Sequence, residues 1–186
     1  MGRMPTQLLA LSGSLRSKSS NTELLRAAAA LAPDDVDVVL YDGIGELPHF
    51  NPDPEDELPP GVVDFRARVA SAAGLLISSP EYAHGVPGSF KNALDWLVGG
   101  PEFVYKPVVL FNTSPRASYA QESLAETIRT MSGWIISEAS LSLPLLGQQL
   151  DANEIIARLE LASPIRSAIS AFVEAILKAP PHLSGV

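Results

Sequence analysis

The 186-residue sequence contains no cysteine, which excludes disulfide bonds, a thiolate nucleophile and any cysteine-held metal or cluster. Histidine is scarce as well: His49, His84 and His182 are far apart and offer no metal-ligand spacing, so no metal is expected. Positive charge is in deficit, with 13 Lys and Arg against 21 Asp and Glu and a formal net charge of -8. An acidic surface repels both a nucleic-acid backbone and an anionic membrane, so neither is expected as a partner. Long apolar runs are missing too, and none reaches the roughly 18 residues of a spanning helix. The first strand-like run follows the N-terminus almost at once, without a signal-peptide core, and the expectation is a cytoplasmic location.

What is present is a large apolar fraction, 46% hydrophobic against 18% charged, enough for one compact domain over residues 1–186. Apolar runs at Gln7 to Leu11, Val36 to Leu40, Gly74 to Ser78 and Pro107 to Phe111 read as strands covered on both faces, and Trp134 to Leu143 holds a fifth. Helical spacing lies between them, at Thr22 to Leu31, at Val62 to Ser71, around Phe90, Leu94 and Leu97, and at Ser118 to Met131. Two more helices are expected, over Asn153 to Leu161 and Pro164 to Lys178. Tyr41 to Pro60 carries five prolines and six acidic residues without a period and reads as an irregular loop over the sheet edge.

Strands alternating with helices predict a doubly wound α/β domain. With right-handed crossovers, the expected architecture is a flavodoxin-like three-layer sandwich with a five-stranded parallel sheet of order 2-1-3-4-5. Its ligand crevice opens at the carboxyl ends of strands one, three and four.

Three loops meet there. After strand one, Gly13 permits a tight turn, Ser14, Ser19, Ser20 and Asn21 bring side-chain donors, and Arg16 brings a planar cationic fork. Together with the positive end of the next helix this is a phosphate cradle that uses neither a P-loop lysine nor a Gly-x-Gly-x-x-Gly turn. The alternative is a capping box of Ser20 with Glu23, Arg16 being a solvated loop charge.

After strand three, Pro80 and Pro87 stiffen a loop in which Gly85 and Gly88 let the backbone approach a ligand. Glu81, Tyr82, Ala83 and His84 lie just past the strand, where backbone and the tyrosine ring can meet a flat ligand. The alternative is a plain strand-to-helix turn with a solvated His84. After strand four, Ser114 and Arg116 reach the same crevice, Arg116 as an anion clamp or as a solvated charge. Ser118 with Gln121 reads as a helix start.

These motifs are recognisable together. Gly13-Ser14-Leu15-Arg16 with Ser19 and Asn21, followed by Pro80-Glu81-Tyr82, Gly85, Pro87-Gly88 and Lys91-Asn92-Ala93-Leu94-Asp95-Trp96, resembles the NADPH-dependent FMN reductase family of quinone, chromate and azo-dye reductases. The resemblance implies FMN with its phosphate in the Ser14 to Asn21 loop and its ring along Pro80 to Gly85, and NADPH or NADH as electron donor. Hydride transfer then belongs to the flavin, with no catalytic side chain required. A small acceptor such as a quinone or free flavin is implied, and so is a homodimer or homotetramer with Trp96 and the acidic loop as contact candidates. Two positions depart from the family pattern: Ala83 stands where many members have asparagine, and Ser114-Pro115-Arg116-Ala117 where they have a glycine pair. Another class of function on the same fold is a flavodoxin-like electron carrier or FMN-binding module reduced by a partner protein.

Overall fold

The computed structural model describes residues 5–53, 57–145 and 147–179. Strand β1 (Thr6–Ser12) leads to helix α1 (Ser20–Leu31), and β2 (Val36–Tyr41) to α2 (Pro60–Ser71). Strand β3 (Gly74–Ser78) leads to α3 (Gly88–Val98), and β4 (Pro107–Asn112) to α4 (Ser118–Thr130). The short strands β5 (Trp134–Ile135) and β6 (Leu141–Ser142) precede α5 (Ala152–Ala157) and α6 (Leu159–Lys178). The strands pair in parallel in the order β2-β1-β3-β4-β5, the flavodoxin-like order expected from the sequence.

Both sheet faces are apolar because helices cover both, which is why the strand sequences lack polar alternation. Leu8, Ala10, Leu76, Val109 and Phe111 pack on one side against α1, α5 and α6. On the other side Leu9, Leu11, Leu75, Ile77 and Val108 meet α2, α3 and α4. The register sets Ser12 beside Ser78, so β1 and β3 end level and their loops leave the sheet side by side.

Three expectations change. The fifth strand is two pieces, because the polar insert Ser137–Ala139 forms a 3-10 turn between them. Strand β5 pairs with the start of β4 and β6 with its end, and across the gap Ser140 Oγ accepts from the Leu110 amide (3.1 Å) and donates to the Ile136 carbonyl (3.1 Å). One serine side chain thereby satisfies backbone groups that a continuous strand would have paired. Helix α6 does not begin at Pro164. It starts at Leu159, since burial of Ala162 and Ile165 draws the chain into helix earlier and proline's fixed φ is itself helical. The acidic loop packs against α3 through residues 48–50, and its residues 54–56 lie outside the described residues. Among the described residues no helix is long and apolar enough to cross a membrane.

Candidate functional site

At the carboxyl ends of β1, β3 and β4 the three loops are tied by one buried amide. Asn21 is 6% exposed, and its Oδ1 accepts from Ser78 Oγ (2.9 Å) at the end of β3 and from Thr113 Oγ1 (3.2 Å) just past β4. Asparagine suits this place because one carbonyl oxygen takes two hydroxyl protons. The side chain expected among the phosphate donors uses its oxygen as a strut joining α1 to two strand ends. Next to it Ser12 Oγ shares a hydrogen bond with Thr22 Oγ1 (2.8 Å) and receives the Ser14 amide (3.3 Å).

The first loop curls on itself. Gly13 donates its N–H to the Ser78 carbonyl (2.9 Å), and buried Ser14 accepts the Arg16 amide on its Oγ (3.3 Å). Arg16 is exposed, and its guanidinium has no partner among the described residues. The helix cap is Ser19, whose Oγ accepts from the Thr22 amide (3.5 Å), rather than Ser20, which is the first residue of α1. No capping box forms, because the Glu23 carboxylate is drawn to Arg26 and to the Ala152 amide at the start of α5 (3.0 Å). The amides of residues 17–21 have no hydrogen-bond partner among the described residues. A free guanidinium just before a run of free amides at a helix N-terminus is a donor set that suits a phosphate.

Pro80 and Glu81 bring the second loop to a two-residue hairpin. The Tyr82 amide donates to the Gly85 carbonyl (3.0 Å) and the Gly85 amide to the Tyr82 carbonyl (2.9 Å). Ala83 (φ 49°) and His84 (φ 62°) occupy the tip in the left-handed region. Their amides have no partner among the described residues, and Tyr82 is 50% exposed. A turn tip with two free N–H groups beside a tyrosine ring fits the polar edge of a planar heterocycle. Left-handed φ disfavours alanine and suits asparagine. Ala83→Asn is expected to stabilise the fold by roughly 0.5–1 kcal/mol, read as a higher midpoint in urea denaturation. An unchanged or lower midpoint would mean that the turn carries no strain there.

The third loop is compact. Asn112 Oδ1 accepts the Ser114 amide (2.9 Å), and Ser114 Oγ accepts the Arg116 amide (3.2 Å). Ser114 is buried, whereas the Arg116 side chain is exposed. Ser118 does not cap α4; the cap position is Ala117, which has no side chain able to do so. The sequence reading missed what replaces it: Glu81 Oε2, from the second loop, accepts the Ala120 amide at 2.9 Å. His84 stacks on Tyr119 at the same helix start, with centroids 4.3 Å apart and planes at 19°.

The Lys91 to Trp96 segment is structural. Lys91 pairs with Asp95 (2.5 Å). Asn92 Nδ2 donates to the Pro48 carbonyl (3.0 Å) and its Oδ1 accepts the Phe50 amide (2.7 Å), while Trp96 Nε1 also donates to Pro48 (2.8 Å). Trp96 is 4% exposed beneath Phe50, so its ring offers no surface to a second subunit.

The sequence pattern of the NADPH-dependent FMN reductase family matches residues 6–145. A 2-hydroxy-1,4-benzoquinone reductase from a Burkholderia species is 33% identical over 156 residues, 81% of this chain and 85% of that protein. An NAD(P)H-dependent FMN reductase from Pseudomonas aeruginosa is 38% identical over 111 residues, 58% of this chain and 60% of that protein. Among solved structures, the flavoenzyme NAD(P)H:acceptor oxidoreductase FerB of Paracoccus denitrificans superposes with a TM-score of 0.82 at 27% identity, covering 93% of this chain and 98% of that one.

Proposed function

The chain belongs to the NADPH-dependent FMN reductase family, and on that premise we propose that its first loop holds the phosphate of FMN and its second loop holds the ring. The protein is an FMN-dependent oxidoreductase that takes electrons from NAD(P)H and delivers them to a small acceptor. The observation that carries the site reading is the Asn21 strut: it binds β3 and β4 to the helix whose free amides and Arg16 form the cradle, so cradle and turn keep one register.

FMN bound there would supply the redox chemistry, hydride uptake from NAD(P)H and electron delivery to the acceptor. The chain binds and orients. Arg16 and the amides of residues 17–21 neutralise the phosphate, with Ser14, Ser19 and Ser20 shaping the loop, while Ala83 and His84 direct N–H groups at the polar edge of the ring. Pro80 and Gly85 bound the turn, Tyr82 borders the ring, and Ser114 fixes the loop that presents Arg116 to the incoming nicotinamide nucleotide. A quinone is the acceptor we favour, with free flavin next, because exposed Tyr82 and Tyr119 give the crevice mouth flat apolar walls. We read the chain as a single domain acting in the cytoplasm as a homodimer or homotetramer.

The test is anaerobic. NADPH added to FMN-loaded, desalted protein is expected to bleach the flavin absorbance rapidly, and benzoquinone to restore it. Flavin retained but not bleached would instead indicate an electron carrier reduced by a partner protein, and no retained flavin would remove the site. Arg116→Ala is expected to raise the KM for NADPH about two- to fivefold, the worth of a solvent-exposed charge pair, with FMN affinity unchanged. Equal KM values would leave Arg116 a surface charge.

A further inference from the structure

We infer that Glu81 is a positioning residue, holding the ring-binding turn in place by acting from outside as the cap of helix α4. The inference rests on the flavin reading of the site above. Three observations converge on it.

Helix α4 lacks a side-chain cap of its own, since Ala117 has no side-chain acceptor and Ser118 already lies inside the helix. An uncapped first turn leaves N–H groups that need a partner, and a carboxylate there is favoured also by the helix dipole. That carboxylate comes from a residue 39 positions earlier in the chain, Glu81 Oε2 at 2.9 Å from the Ala120 amide. The loop that supplies it cannot slide: Pro80 precedes Glu81, and the reciprocal Tyr82 and Gly85 hydrogen bonds close the hairpin right after it.

A second strut runs from the same turn to the same helix start, the His84 ring lying on Tyr119. Two contacts from one short loop fix both its position and its tilt. The turn they hold carries the two free amides, on residues in the left-handed region, where the backbone has little preference of its own to keep them aimed. The same clamp ties the turn to the start of α4, which directly follows the loop bearing Arg116.

The experiment measures binding to apo-protein by flavin fluorescence quenching, with FMN and with riboflavin, which keeps the ring but lacks the phosphate. Visible circular dichroism of the bound flavin reports how the ring sits. Glu81→Ala is expected to weaken both ligands by the same factor, about tenfold, and to change the dichroism at saturation. Glu81→Gln retains an oxygen that can accept the Ala120 N–H and is expected to bind both ligands within about threefold of wild type. Tyr119→Leu removes the stack from an exposed position, so it folds even if Glu81→Ala does not, and is expected to weaken both ligands about two- to threefold.

A merely structural role would lower the thermal midpoint of Glu81→Ala but leave the folded protein's riboflavin affinity and dichroism as in wild type, and that result would overturn the inference. So would a loss confined to FMN, which would place Glu81 at the phosphate end. Glu81→Gln binding as weakly as Glu81→Ala would likewise overturn it, because charge and not acceptor geometry would then be what matters. Wild-type protein that binds neither flavin would instead bring down the flavin site as a whole.

Discussion

Replacing Arg16 by alanine is expected to weaken FMN binding roughly 10- to 100-fold, the worth of one lost charge-assisted hydrogen bond, while leaving the fold intact. The two halves of that expectation have separate causes. The Arg16 backbone is held by its amide bond to Ser14 Oγ (3.3 Å), which the substitution keeps. Its guanidinium is exposed and contributes nothing to packing, so the thermal midpoint should not move. Arg16→Lys keeps the charge without the planar fork and should fall between the two. The loss should shrink as salt is raised, because a surface charge acting on a phosphate is screened. Riboflavin, with no phosphate, should bind wild type and Arg16→Ala alike. An FMN affinity that stays at the wild-type value would remove Arg16 from the cradle and leave the phosphate to the amides of residues 17–21 and the loop hydroxyls.

The fold was legible where burial alone decides. Strand β3 occupies the predicted residues, and the other main strands extend by a residue or so at one or both ends, since an apolar run covered on both faces admits few other placements. Legibility failed where one side chain substitutes for regular pairing. Nothing in the apolar content of Trp134 to Leu143 reveals that Ser140 stands in for a strand, because the cue is a hydrogen bond to Leu110 some 30 positions away.

The candidate site divides the same way. Local chemistry picked out three loops that the structure brings together at one end of the sheet: glycine where strands crowd, serine and arginine at a helix start, proline and glycine around a turn. The roles of Asn21 and Glu81 were not visible, because both are set by partners far along the chain, Ser78 and Thr113 for one and Ala120 for the other. One signal for Glu81 was available: a helix start at Ala117 and Ser118 that no neighbour caps has to find an acceptor elsewhere. The shift of the α1 cap from Ser20 to Ser19 also has a distant cause. Glu23, the partner that a capping box at Ser20 required, serves α5 instead.

Gly13→Ala is expected to cause the largest combined loss. A Cβ at this position would stand 2.3 Å from Ser79 Oγ, 2.7 Å from its Cβ and 3.0 Å from its Cα. The hydroxyl can rotate away, but the Cβ and Cα cannot, so the ends of β1 and β3 must part. Overpacking of this kind costs about 1–3 kcal/mol, which for a chain of this length lowers the thermal midpoint by about 2–12 °C. Binding should suffer more than stability. Separation stretches the Gly13 bond to the Ser78 carbonyl (2.9 Å), and Ser78 is the residue that joins β3 to Asn21. Cradle and turn then lose their common register, and FMN should bind on the order of 100-fold more weakly, since charged contacts at the phosphate and hydrogen bonds at the ring can no longer form together. A double variant separates the steric cause from any other. Ser79→Gly removes the two closest atoms, so Gly13→Ala with Ser79→Gly should recover much of both losses, with a coupling of about 0.5–3 kcal/mol in the cycle. If Gly13→Ala bound FMN as wild type does, the two loops would be shown to act independently, and the shared register on which the site is built would fall.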